Sequence, residues 1–249
     1  MTRLQAVFFD LGDTIIDLGE GLGGYEARLA QRVGRVYDAL AAAGAALPAR
    51  QHFCDALASG SEGRYQRALA EQQGLDIYDV MRWFFDRLGI AADDRLVQIA
   101  GAAYCRGTVA AAPLRQGAIA VLTELHDRGL RLGVISNTLQ PAVFADDSLL
   151  QHGLLDFFTA RTYSSEARVA KPNPGIFRQA LAAVDVAPEH AFHVGDRLVA
   201  DVSGAHSVGM KAVHIVVPGR APEAHDGIVP DATIAELTDL IPLVPDLFP

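Results

Sequence analysis

The sequence predicts an α/β fold: a doubly wound parallel sheet with helices on both faces, and an all-helical domain inserted after the first strand. Three observations predict it. Short apolar runs at residues 4–9, 130–135, 191–194 and 211–217 each stop at polar or turn residues, as strands buried on both faces do. Helical stretches at 117–128, 174–184 and, more briefly, 199–207 lie among the later runs, which makes βαβ units. Residues 18–112, by contrast, carry apolar residues at helical spacing and no convincing strand.

Taken in order, the first strand is Leu4-Gln5-Ala6-Val7-Phe8-Phe9, closed by Asp10 and the turn residues Gly12 and Asp13. Helices are predicted at 25–43, 62–73, 76–88 and 93–108, with Gly44, Gly74 and Gly89 at helix ends. Gly19, Gly21, Gly23 and Gly24 precede the first helix, and Ala111-Ala112-Pro113 closes the segment. Joints of this kind suit a hinge. The division is therefore a core of residues 1–17 and 113–249, with a helical cap at 18–112. Pro242, Pro245 and Pro249 mark the end as a tail laid on the surface.

Half of the 249 residues are hydrophobic and a fifth are charged, enough apolar material for a sizeable core. The net charge is −9, from 21 basic and 30 acidic residues. No basic surplus exists to neutralise nucleic-acid or membrane phosphates, so neither partner is expected. A small anionic substrate needs only a local positive site. Cys54 and Cys105 have no metal-ligand spacing and read as reduced thiols. No apolar run is long enough to span a membrane, and no signal-peptide layout opens the chain, so the expectation is a cytoplasmic monomer or homodimer.

Four motifs follow predicted strands or open a helix, where ligands of open α/β sheets bind. Asp10-Leu11-Gly12-Asp13-Thr14 presents a carboxylate able to attack phosphorus. Ser136-Asn137-Thr138 offers a hydroxyl and free backbone N–H groups for phosphate oxygens. Lys171-Pro172-Asn173-Pro174 brings a positive charge and a proline suited to a first helical turn. Gly195-Asp196-Arg197-Leu198-Val199-Ala200-Asp201 sets two acids where a hard cation can meet them. Each alone is compatible with an ordinary turn, a helix cap or a solvated charge.

Their joint order is more specific. With the flanking His193-Val194-Gly195-Asp196 and Gly204-Ala205, the chain resembles the haloacid dehalogenase superfamily, in the subgroup with a helical cap after the first motif. The resemblance covers essentially the whole chain and implies a Rossmann-like core and a Mg²⁺-dependent phosphohydrolase acting on a small phosphorylated metabolite. It makes Asp10 the nucleophile, with Ser136 on the phosphoryl oxygens and Lys171 balancing charge. Asp10, Asp196 and the Gly12 carbonyl would hold Mg²⁺, and Asp201 would be a direct or indirect metal partner. The ion has a physical purpose. Two like unit charges about 4 Å apart repel by about 4 kcal/mol at an effective dielectric of about 20, and an anionic nucleophile must approach an anionic phosphate.

One departure matters. Phosphatases of this family carry aspartate two residues after the nucleophile, as the acid and base of the reaction. Here that residue is Gly12, which transfers no proton, and such help is typically worth ~10²–10⁴-fold. Three replacements are open: Asp13 through altered turn geometry, a cap residue, or a leaving group acidic enough to need none. Carbon–halogen hydrolysis and a non-catalytic phosphate-binding protein are the alternative functions. On the cap, Arg28, Arg32 and Arg35 share a helix face with Tyr25 nearby. They can grip an acidic substrate tail or form a solvated face, and Arg28 is the chosen substrate contact. Trp83, Phe84 and Phe85 read as cap core, and no histidine shows catalytic spacing.

Overall fold

The computed structural model describes residues 3–19, 24–106, 112–220 and 227–247. Six parallel strands make one sheet: β1 (Ala6–Phe9), β2 (Arg131–Ser136), β3 (Phe158–Tyr163), β4 (Ala191–Gly195), β5 (Lys211–Ile215) and β6 (Ala232–Ile234), in the order β3-β2-β1-β4-β5-β6. β1 is central, with Phe9 in register with Val134 on one side and Val194 on the other. The strand order reverses between β1 and β4, so a crevice opens beyond their carboxyl ends.

Alternation along the strands feeds two cores. Val7 and Phe9 join Leu132, Val134 and Val194 on one face, covered by α5 (Ala118–Asp127). Ala6 and Phe8 join Ile135 and Ala212 on the other, covered by α8 (Pro174–Val184). Between β1 and β2 stand α1 (Gly24–Ala42), α2 (Arg50–Ala70), α3 (Ile77–Leu88) and α4 (Asp94–Cys105). These four pack a core of their own around Phe53, Leu57, Phe84 and Phe85, with Phe53 edge-on to Phe84 at 5.1 Å. Asp76 and Asp93 cap α3 and α4 by accepting from Asp79 and Leu96 N–H.

Among the described residues, backbone hydrogen bonds tie the helical unit to the sheet unit in two places. At the joints, Asp17 N–H donates to Pro113 O (2.8 Å) and Arg115 N–H to Ile15 O (2.8 Å), so the two crossing segments run side by side. The second place lies at the α2–α3 turn. Ala170 N–H donates to Gln72 O at 3.0 Å, Ile77 N–H to Leu139 O at 2.9 Å, and Arg168 pairs with Asp76 and Asp79, each at 2.7 Å. Gly74 permits this approach, since a Cβ there would lie 1.8 Å from Ser164 O. The expected glycine hinge thus has a latch opposite it. Gly21, Gly23 and Ala111 fall outside the described residues.

Several expectations need correction. α2 begins at Arg50, twelve residues earlier than the predicted 62–73, and its weak apolar stripe, with Gly60 and Gly63 in it, hides that start. β3, β6 and the helix α6 (Ala142–Gln151) were not foreseen. β3 (FTARTY) alternates buried and exposed residues as an edge strand, rather than running apolar throughout. The stretch at 199–207 is a π-helical coil, Leu198–Ser203, followed by the short helix Gly204–His206. The proline-rich end, expected as a tail laid on the surface, is helical and partly buried. It forms the helix Leu240–Leu247, with Leu240 buried and Ile241, Leu243 and Val244 packed on the sheet core. Pro242 falls in its first turn, where the missing N–H costs no helical bond; Pro249 is outside the described residues. No helix among the described residues is long and apolar enough to cross a membrane.

Candidate active site

The site grows from the ends of β1, β2 and β4. Asp10 follows β1 directly, and its backbone N–H donates to Val194 O at 2.9 Å. Its carboxylate is met by Lys171, which enters from the segment before α8. Lys171 Nζ lies 2.6 Å from Asp10 Oδ1, 2.6 Å from Asp201 Oδ1 and 2.7 Å from Ile135 O. All three ammonium donors are used, and the side chain is buried.

Burial sets the electrostatics. Burial raises the Asp10 pKa to about 6, with Lys171 opposing and Asp201 adding. For Asp201, burial is outweighed by Lys171 and His193, and the carboxyl is held well below the usual range. Burial also works against the Lys171 ammonium, but the two carboxylates prevail and its pKa is raised. The ammonium is therefore held charged between two acids.

Asp201 comes this close because Gly195 has no side chain: a Cβ there would sit 2.2 Å from Asp201 Cγ. Asp201 Oδ1 also takes His193 Nε2 at 2.9 Å, and Oδ2 accepts from Arg197 N–H at 3.0 Å. His193 is fully buried in β4 under the edge of Phe177, and burial lowers its pKa. A neutral ring meeting a carboxylate carries its proton on Nε2. Expected as a direct or indirect metal partner, Asp201 has both oxygens engaged by protein donors, which speaks against the direct role.

Asn137 also differs from expectation. Its amide donates to Lys171 O (3.0 Å) and accepts from Lys171 N–H (2.8 Å), so it clamps the lysine's backbone rather than facing a ligand. Ser136, at the end of β2, lines the cavity with no such tie. Asp13 sits at φ 59°, and its oxygens take Leu18 N–H (2.9 Å) and the Arg220 guanidinium, while its carbonyl accepts from Arg115 (2.6 Å). With both carboxylate oxygens engaged, Asp13 ties down the first joint. Arg220 also pairs with Asp196 Oδ2. Sequence reasoning missed Arg220 and His193: one follows Gly219 in a loop without pattern, and the other reads as one more residue of a buried strand.

A cavity of about 890 Å³ gathers these groups: Asp10, Gly12, Asp13, Ser136, Asn137, Lys171, Asp196, Asp201 and Arg28 all line it. Its far wall is helical. Arg28 of α1 holds Leu18 O and, at 3.4 Å, Gly19 O, while Arg32 lies over the Tyr104 ring at 5.2 Å. Burial, then the like charge of Arg32, lowers the Arg28 pKa, so two guanidiniums share this wall. Asp10, Asp13, Asp196 and Asp201 supply negative charge at the sheet side. Among the described residues, no three His, Cys, Asp or Glu side chains converge as metal ligands.

A parallel sheet of this order, with an acid at the end of its central strand and a buried lysine against it, defines a hydrolase site at the switch point of an open, doubly wound sheet. The chain belongs to the haloacid dehalogenase-like hydrolases, whose family model matches residues 4–209. It is 34% identical over 164 residues to a glyceraldehyde 3-phosphate phosphatase of Methanopyrus kandleri, covering 65% of this chain and 69% of that one. It is 37% identical over 128 residues to a phosphoserine phosphatase of Thermus thermophilus, covering 51% and 50%. Among solved structures it resembles a HAD phosphatase from Thermococcus onnurineus (TM-score 0.60, 25% identity, 97% and 98% covered). A 2-haloacid dehalogenase from Pseudomonas syringae shares the fold, with TM-score 0.71, 23% identity, and 99% and 100% covered.

Proposed function

We propose that this chain hydrolyses the phosphate monoester of a small metabolite, with Mg²⁺, through an aspartyl-phosphate on Asp10. The observation that carries the reading is the Lys171 ammonium, 2.6 Å from both Asp10 Oδ1 and Asp201 Oδ1. It keeps a buried carboxylate oriented and draws anionic oxygens toward it. Asp10 attacks phosphorus, the bond to the leaving oxygen breaks with its electron pair, and an alcohol departs once protonated. Water then attacks the aspartyl-phosphate and returns the carboxylate. Ser136 donates its hydroxyl to a phosphoryl oxygen. Asp201 and His193 hold Lys171 in place, and Asn137 fixes its backbone.

The residues present fit a hard cation. Asp10, Asp196 and the Gly12 carbonyl offer oxygen alone, and two carboxylates completed by water and phosphate oxygens suit Mg²⁺. Burial raises the Asp10 pKa in spite of Lys171, which is consistent with room for a second positive charge at this carboxylate. When bound, the ion supplies charge neutralisation of nucleophile and phosphoryl group. The helical unit then serves as a cap, and Arg28 and Arg32 select substrates with a second anionic group distant from the phosphate.

The test is phosphate release from a panel of phosphate monoesters and acyl phosphates, with Mg²⁺ or with chelator, beside Asp10→Asn. The expected result is release that needs both metal and Asp10. Release indifferent to either one would overturn the reading.

A further inference from the structure

Gly12 leaves the proposed reaction without a proton donor near the nucleophile, and the cavity wall supplied by the helices shows what can replace it. Most of the hydroxyl, carboxyl and amide groups there are committed. Tyr25 donates to one oxygen of Glu62, and Gln66 donates to the other at 2.8 Å. Ser61 donates to Ala58 O at 3.3 Å, and Tyr104 is buried beneath Arg32. On the opposite side, Asp13 has both oxygens held by Leu18 and Arg220.

Tyr65 is different. It projects from α2 with its ring packed against the helical core, and it lines the same cavity as Asp10 and Lys171. Its hydroxyl makes no hydrogen bond with any described residue. We propose that Tyr65 is the catalytic proton donor to the leaving oxygen, supplied across the cavity by the helical unit. This rests on the phosphohydrolase reading above.

As Asp10 forms its bond to phosphorus, the phosphorus–oxygen bond to the leaving group breaks and its electron pair stays on that oxygen. The Tyr65 O–H proton moves there, giving the alcohol and a tyrosinate. In the second step water attacks phosphorus, the bond to Asp10 breaks with its electrons returning to the carboxylate, and the water's proton restores Tyr65. Burial, then the charge of Asp10, raises the Tyr65 pKa, which keeps the hydroxyl protonated at neutral pH but makes it a weaker acid than a solvated tyrosine. An alkoxide is a stronger base than a phenolate, so the transfer is favourable with alkyl leaving groups. With an acyl phosphate the leaving carboxylate needs no proton.

The experiment compares the full chain with Tyr65→Phe, in Mg²⁺, on glycerol phosphate and on acetyl phosphate, with thermal melts of both proteins. The expected result is a loss of about a hundredfold or more on glycerol phosphate, with acetyl phosphate changed by no more than about threefold. Retained acetyl phosphate turnover also reports that the variant is folded. Equal loss on both substrates, or no loss on glycerol phosphate, overturns the role of Tyr65 while leaving the phosphohydrolase reading standing. A wild-type chain that releases no phosphate from either substrate, or releases it without Asp10, overturns both.

Discussion

The Lys171 ammonium touches the Asp10 carboxylate at 2.6 Å although 161 residues separate them in the chain. The contact is buried and shared with Asp201, so Lys171 is the counter-charge for two acids at once. Removing it as Lys171→Met leaves Asp10 without its counter-charge and Asp201 with only His193 and the Arg197 N–H, a change that typically costs 3–5 kcal/mol. Urea denaturation at pH 7.5 is expected to show a loss of about that size, and phosphoryl transfer is expected to vanish. A variant as stable as the wild type would mean that the acids find other partners.

Asp10 and Asp201 pull stability in opposite directions. The Asp10 pKa rises from 3.8 to about 6 on folding, chiefly through burial, so the folded chain holds this proton more tightly than the unfolded one. That contribution is present in full below pH 3.8 and is lost as pH rises through about 6. The Asp201 carboxyl, held low by Lys171 and His193 against burial, contributes above its ordinary pKa and loses that as pH falls. Asp10→Asn removes the first effect only. In chelator at pH 7.5 it is expected to melt a few degrees above the wild type, from on the order of 2 kcal/mol. The gap is expected to close by pH 4. A variant less stable than the wild type at pH 7.5 would show that the Lys171 pair outweighs the burial.

How much of this could be read from the sequence depended on whether the signal was local. Asp10, Ser136 and Asp196 stand where apolar strands stop, and that punctuation is visible without coordinates. Lys171 was visible as a motif, but its burial was not, because a lone lysine is usually solvated. Asp201 and Asn137 were legible as residues but not in their contacts: a spacing does not say which way a carboxylate or an amide faces. Arg220 has no local pattern, and nothing local in His193 or Tyr65 says what either side chain meets. Their place arises only when the loop after β5, the strand β4 and the helix α2 converge on one cavity. The same reason hid β3, whose alternating edge pattern differs from the continuous runs of its neighbours.

Gly74 holds the latch between the helical unit and the segment leading to Lys171. A Cβ there would fall 1.8 Å from Ser164 O and 2.8 Å from the Arg168 backbone, so Gly74→Ala must push the two apart. Overpacking of this kind typically costs 1–3 kcal/mol. The amides of Ala170 and Ile77, which donate across the contact, are expected to exchange with solvent faster in the variant. Those of β1 are expected to exchange as before. Unchanged protection at Ala170 would show that the turn relaxes without opening.

Arg220 sits between Asp13 and Asp196, so its guanidinium occupies one of the carboxylates assigned to the cation. Metal binding through Asp196 Oδ2 then has to displace an existing ion pair. Partly exposed pairs of this kind are worth up to about 1 kcal/mol, which corresponds to roughly fivefold in affinity. Arg220→Ala is therefore expected to bind Mn²⁺, followed by its electron paramagnetic resonance signal as a stand-in for Mg²⁺, roughly fivefold more tightly. The gain is expected to shrink when Asp196→Asn is added, because the freed oxygen is then gone. Weaker Mn²⁺ binding in Arg220→Ala would reverse the assignment, making Arg220 a support that keeps Asp13 and the first joint in shape for the metal.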